Sequence, residues 1–255
     1  MAQPSYDARV IVLRKTKLSE SDLVLTLMAE DGSQIRAVAK GARKPTNGFS
    51  ARLELYSVSD VLLARGKNLD VVKEARIVES NEAVRRDMEH AAGAAPMAEL
   101  LDRVTLDALE SPKLFPLTRT ALAALGTAEV PQVPGLCAAH LLKTLAFSGF
   151  RPSFSACAAC GRPLDLSARG NVPFSPREGG ALCDGCSPHS ECLMLPASTL
   201  ALSDALLHET FEVISSGPAR TRTALDALQL CQQLIREHVG ARMKSLDFLF
   251  TCGLF

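Results

Sequence analysis

The stretch ARVIVLRKTKLSESDLVLTLMAEDGSQIRAVA, residues 8–39, decides the fold. Its apolar residues come in short, β-branched runs, Ala8 to Leu13, Leu23 to Met28 and Ile35 to Ala39, with polar punctuation at Ser19 to Asp22 and at Asp31-Gly32-Ser33. Runs bounded in this way read as strands, and Asp-Gly between two of them is a strong hairpin signal. Two further runs, Tyr56 to Leu63 and Leu69 to Val78, follow a longer loop at Gly41 to Gly48 and a turn at Gly66-Lys67-Asn68. Five strands in about seventy residues suit a small closed barrel of the OB type, with a five-stranded sheet of another topology as the competitor.

Beyond residue 80 alanine and leucine replace valine and isoleucine, and the apolar spacing lengthens to three and four. Helices are predicted over 80–92, 95–110, 113–126 and 135–148, with Pro96, Pro112, Pro116 and Pro134 at or near their starts. A long helix is predicted from Ala219 to Gly240, with Leu225, Leu228, Gln232, Ile235 and Val239 on one face. Between them, residues 150–196 read as loop. The expected fold class is α+β: residues 1–80 form a five-stranded OB-fold barrel, and 81–255 an all-helical domain with an inserted zinc ribbon at about 151–196.

That ribbon rests on cysteine spacing. Four of eight cysteines fall in two tight pairs, Cys157/Cys160 and Cys183/Cys186, while Cys137, Cys192, Cys231 and Cys252 are scattered. In a chain of 255 residues without an export signal, reduced thiols are the expectation. Two Cys-x2-Cys turns give the four thiolates of a tetrahedral structural zinc site, with Gly161 and Gly185 where knuckle turns need small residues. The competing readings are two redox pairs or incidental cysteines. A closed tetrathiolate site has no open coordination position, so one structural Zn2+ per chain is expected, without catalysis. His189 and Cys192 lie nearby but stay outside the ligand set.

The net charge is zero, from 28 Lys+Arg against 28 Asp+Glu, and it conceals an uneven distribution. Residues 32–52, GSQIRAVAKGARKPTNGFSAR, contain Arg36, Lys40, Arg43, Lys44 and Arg52 and no acid, whereas 53–110 carry seven basic and twelve acidic side chains. Arg36 and Lys40 are four apart on a strand and share a face, and Arg43 and Lys44 carry the charge into the loop. These residues, with Arg14 at the end of the first strand, form a candidate phosphate track. Phe49 and Tyr56 are the nearby aromatics, so phosphate contacts should dominate and binding should be sequence-tolerant and salt-sensitive. The bland alternative is an ordinary solvated barrel face. A second basic cluster, Arg236, His238, Arg242 and Lys244, closes the last long helix.

There is no GxxxxGK[ST], GxGxxG, GxSxG or HExxH motif, and the five histidines form no constellation. No catalytic residue and no nucleotide site are expected. The longest stretches without charge, 130–142 and 192–203, are too short to span a bilayer and contain prolines. Neither a membrane partner nor a secretory signal is expected, and the chain reads as cytoplasmic.

RVIVLRKTKLSESDLVLTLMAEDGSQIRAVAKGARK, HLLKTLAFSGFRPSFSACAACG, VPFSPREGGALCDGC and REHVGARMKSLDFL together resemble the bacterial DNA repair protein RecO family. Glu20, Asp22 and Ala39-Lys40-Gly41-Ala42-Arg43 carry the barrel signature. The resemblance implies a recombination mediator without nucleotide hydrolysis, cytoplasmic and nucleoid-associated. It would bind single- and double-stranded DNA, anneal complementary strands coated with single-stranded DNA-binding protein, and act with RecR to load recombinase. It also implies a groove between helices for the C-terminal tail of that single-stranded DNA-binding protein, with Arg236, Arg242 and Lys244 as candidate contacts. Lys40 and Arg43 match the family's basic barrel positions, while Arg36, Lys44 and Arg52 rest on charge. Two other readings share these features: an RNA- or ribosome-associated barrel, and an assembly adaptor acting through its helices.

Overall fold

In the computed structural model, which describes residues 4–44, 48–167 and 170–255, strand β1 (Ser5–Lys17) is apolar on two sides because it serves two cores. Val10 and Val12 point into the barrel, whereas Ile11 and Leu13 point out into the helical part, and all four are buried. A bulge between Val12 and Arg14 shifts the register midway along the strand. Strands β2 (Leu23–Ala29), β3 (Gln34–Ala39), β4 (Val58–Ala64) and β5 (Asp70–Glu79) complete a closed barrel of order β1-β2-β3-β5-β4. β3 and β5 pair in parallel and the other neighbours antiparallel. A short helix, α1 (Phe49–Arg52), lies between β3 and β4, and Leu53 just after it joins the barrel core.

The helical part contains α2 (Met88–Val104), α3 (Leu114–Thr127), α4 (Val133–Phe147), α5 (Ala197–His208), α6 (Phe211–Ser216), α7 (Thr221–His238) and α8 (Lys244–Thr251). Two helices predicted over 80–92 and 95–110 are instead one. After a 3-10 turn at Glu82–Arg85, α2 starts at Asp87, whose carboxylate accepts the His90 N–H at 2.9 Å, and runs through Pro96. Pro96 is buried inside the helix rather than at its start, so packing offsets the backbone hydrogen bond its ring removes. The buried stripe of α7 holds Ala224, Ala227, Leu228, Cys231, Leu234 and Ile235, rotated from the predicted one, with Leu225, Gln232 and Val239 half-buried at its edge. α4 is buried on nearly every side, packed by α2, α3, α5 and α7.

Within the segment that reads as loop, β6 (Asn171–Ser175), β7 (Gly180–Ala181) and β8 (Leu193–Pro196) form a small sheet of order β7-β6-β8. Phe154 and Phe174 stack under it with ring centroids 6.1 Å apart and belong to the same core as the helices.

The β2–β3 hairpin docks the barrel onto the segment after α2. Gly32 has φ +83, and a Cβ there would stand 2.0 Å from the Ser111 carbonyl oxygen, so only glycine permits this approach. Ser111 N–H donates to Asp31 O at 2.8 Å and Gln34 N–H to Leu106 O at 3.0 Å. Among the described residues, no helix is long and apolar enough to cross a membrane.

Candidate nucleic-acid interface and metal centre

At one end of the barrel the loop between β1 and β2 meets the exit of β3. Asp22 organises the junction: its Oδ1 accepts the Gly41 N–H at 2.8 Å and the Ser21 hydroxyl at 3.0 Å, and its own N–H donates to Ser19 Oγ at 3.1 Å. The Gly41 N–H, then the Ser21 hydroxyl, hold the Asp22 carboxyl below its ordinary range. Gly41 has φ +67, the left-handed turn that brings its N–H toward the carboxylate. Arg43 closes the junction from the other side, its Nη1 donating to Ser19 O at 2.9 Å and Glu20 O at 2.8 Å. Glu20 therefore takes part through its backbone.

The predicted cations thus divide by role. Arg43 fastens two loops. Arg14 lies 3.5 Å from Asp102 of α2 and bridges barrel to helix. Arg36 and Lys40 are exposed; Arg36 faces outward from β3, and Lys40 follows its last residue, a separation of about 13 Å along an extended chain. Among the described residues Arg36, Lys44 and Arg52 are exposed and have no carboxylate partner. Lys17, which the charge reading passed over, ends β1 at the same barrel end and is likewise exposed. Pro45, Thr46 and Asn47, within the predicted track, lie outside the described residues.

The aromatics do not extend this surface. Tyr56 is buried with φ 69, and Phe49 packs against the barrel core. A different one, Tyr6, sits with Arg36 in a groove of about 890 Å³ near the hairpin. Arg65 lies 4.4 Å over its ring, and its hydroxyl donates to Asp70. Four cations face five carboxylates in that groove, so the net basic surface runs instead from Arg36 toward Lys40 and Lys44. No local signal reveals the groove, because its residues come from strand ends far apart in sequence.

The ribbon gathers Cys157, Cys160, Cys183 and Cys186 with all sulfurs within 4.8 Å of one another. Cys160 Sγ and Cys183 Sγ are 3.8 Å apart. A tetrahedron with arms of about 2.3 Å has edges of about 3.8 Å, so the spacing fits four thiolates on one metal ion. Burial alone would raise the Cys157 pKa, but the backbone N–H groups of Cys183, Cys160 and Ala159 outweigh it and bring the thiol down to about 6. Cys186, hydrogen-bonded to Cys183 and Cys160, is pushed up to about 12. Four thiols this close cannot all ionise unless a cation compensates the charge. The quartet can therefore hold a metal ion, and among the described residues no other group of cysteine, histidine or acid does so.

In the second basic cluster the cations have local ties. Arg242 pairs with Asp247 at 2.7 Å, and the Lys244 N–H donates to Glu99 of α2, which also accepts the Ser245 N–H and so caps α8. A different groove, about 140 Å³, lies where α4, α5 and α6 meet the start of α7. Leu202, Leu206, Val213 and Ile214 line it, with Arg220 and Glu209 among its polar residues.

Family models described as "Recombination protein O N terminal" and "Recombination protein O C terminal" match residues 1–81 and 85–247. A curated relative from Nocardioides sp., named DNA repair protein RecO, is 34% identical over 248 residues, 96% of this chain and 98% of its own length. Proteins of the same name from Symbiobacterium thermophilum and Anaeromyxobacter dehalogenans are 30% and 32% identical, and each covers 95% or more of both chains. Matched in its barrel and in its helical part, and aligned nearly end to end with these relatives, the chain belongs to the RecO family.

Proposed function

We propose that the chain is a DNA repair and recombination mediator that binds single- and double-stranded DNA through the barrel and anneals complementary strands without nucleotide hydrolysis. Besides family membership, one observation carries this reading: Arg36, Lys44 and Arg52 stand exposed on an acid-free stretch, without carboxylate partners among the described residues. Cations so placed neutralise phosphates of two strands and reduce the repulsion that keeps them apart, so pairing proceeds by binding alone. Lys40 adds to this track, whereas Arg43 and Arg14 support it from their structural ties. The mediator works at the nucleoid in the cytoplasm, with RecR as its partner in loading recombinase.

The metal in the quartet is zinc, one per chain. Thiolates suit its borderline-soft character, and a filled tetrahedron makes it a brace for the ribbon rather than a reagent. The C-terminal tail of the single-stranded DNA-binding protein occupies the small groove at the start of α7. Its apolar residues would meet Leu202, Leu206 and Ile214. Its carboxylate would meet Arg220, beside a helix N-terminus with no acid in its first turn.

Strand annealing in rising salt, with and without the cognate single-stranded DNA-binding protein, tests the reading. Arg36→Glu with Lys44→Glu should abolish annealing of naked strands and leave folding intact. Unchanged annealing in this variant would remove the barrel track. Lys40→Glu with Arg43→Glu is a less clean variant because Arg43 fastens the loops. Arg220→Glu should lose only the stimulation by the coated strand.

A further inference from the structure

One block that carries the family resemblance, AFSGFR at residues 146–151, is explained neither by the core nor by the metal. It ends α4 at Phe147, turns through Gly149 at φ +93, and enters the ribbon at Arg151. Phe147 is 44% and Phe150 41% exposed, whereas Phe115, Phe154, Phe174 and Phe211 are buried. We infer that this tip is a contact surface for single-stranded DNA, with the Phe147 and Phe150 rings stacking on bases and Lys113, Lys143 and Arg151 meeting phosphates.

Four observations converge. Lys113 Nζ lies 5.4 Å from the centre of the Phe147 ring, and neither Lys113 nor Arg151 has a carboxylate partner among the described residues. The Phe150 ring already stacks on His238, centroids 5.3 Å apart at 26°, so a base on its outer side would extend an existing stack. Lys143, one turn before Phe147 on the same side of α4, donates to Leu207 O at 2.8 Å and hydrogen-bonds to no carboxylate. Burial lowers its pKa first, Glu209 opposes that shift, and the Arg151 guanidinium adds a smaller repulsion, which places both a carboxylate and a second cation near it. Finally, Lys113 follows by two residues the Ser111 N–H that binds the barrel hairpin at Asp31, which joins the tip to the barrel.

Lys113 and Arg151 favour a polyanion here, and two partly exposed rings three residues apart favour unstacked bases over a duplex whose bases are already stacked. The tip also supplies what the barrel track lacks, since Tyr56 is buried and Phe49 is packed against the core. The assignment rests on the DNA-binding reading above and gives it a second, base-contacting surface.

The chain has no tryptophan, so Phe150→Trp creates a single fluorescent reporter at the tip. Titration with end-labelled oligothymidine should quench that tryptophan with the same midpoint as the rise in label anisotropy. Phe147→Ala with Phe150→Ala should weaken single-strand binding on the order of tenfold, with duplex binding little changed. Arg151→Glu, which alters no ring, should weaken it too, and thermal melting checks that each variant folds. An anisotropy rise without quenching, with the alanine variant binding like the parent, overturns the tip assignment and leaves the barrel reading standing. Quenching by an acidic apolar peptide but not by oligothymidine overturns it in favour of a protein partner. No anisotropy rise with the unmodified chain removes both the assignment and the reading beneath it.

Discussion

The barrel end and the cysteine ribbon both tie distant loops together, but they finish the task differently. At the barrel end the Asp22 carboxylate accepts the Gly41 N–H and Arg43 donates to the Ser19 and Glu20 carbonyls, so the junction is complete within the chain. In the ribbon four sulfurs converge within 4.8 Å, a set whose negative charge calls for a cation. The first arrangement leaves neighbouring cations exposed for a ligand, whereas the second brings its four sulfurs onto one another, with Cys157 and Cys183 buried. A self-satisfied junction suits a surface that must bind and release, and one that a metal ion can close suits a fixed scaffold.

The largest test of this contrast is Cys183→Ser. It removes one of the four thiols that can hold a metal ion, at a buried position, and with metal bound should cost more than about 4 kcal/mol in denaturant unfolding, the exceptional class for a single substitution. DNA affinity of the protein that remains folded should hold. An intact melting curve after this substitution would mean that the ribbon stands without metal.

Next, Arg43→Ala should lower stability by about 1 kcal/mol or less, because its two hydrogen bonds lie at the surface. Lys44→Ala should leave stability unchanged and reduce the slope of log affinity against log salt by about one. Equal effects of the two on melting would erase the division between fastening and binding cations.

The smallest effect concerns acid. The Asp22 carboxyl is held below its ordinary range in the folded protein, so its stabilisation is fully present above the unfolded value. It is lost as pH falls through the lowered one. The Gly41 amide should therefore keep its hydrogen-exchange protection below the ordinary aspartate range and lose it only as pH falls through the lowered value. Asp22→Ala should show the loss at all pH values.

Much of the barrel is legible in the sequence because period-two runs and the Asp31-Gly32 hairpin are local signals. The cysteine quartet is legible because thiolate pairs at this spacing have few other uses. The helical part is less so. Pro96 reads as a helix start, but burial carries α2 through it, and α8 shows no local cap because its cap is Glu99 on another helix. Arg14 reads as a free cation since Asp102, its partner, is far along the chain. The exposure of Phe147 and Phe150 is invisible for the same reason. In sequence they continue an apolar run, and only the fold shows that α4 ends there and leaves both rings partly exposed.

Strand β1 has one more consequence. Since Ile11, Leu13, Met28 and Val58 belong to the helical core while Val10 and Val12 fill the barrel, the two parts should melt together, as one transition in calorimetry. A barrel excised on its own would present those four side chains to water and self-associate, so truncation would report on adhesion rather than on DNA. Two family models divide the chain between residues 81 and 85, but the buried side chains of one strand cross that division.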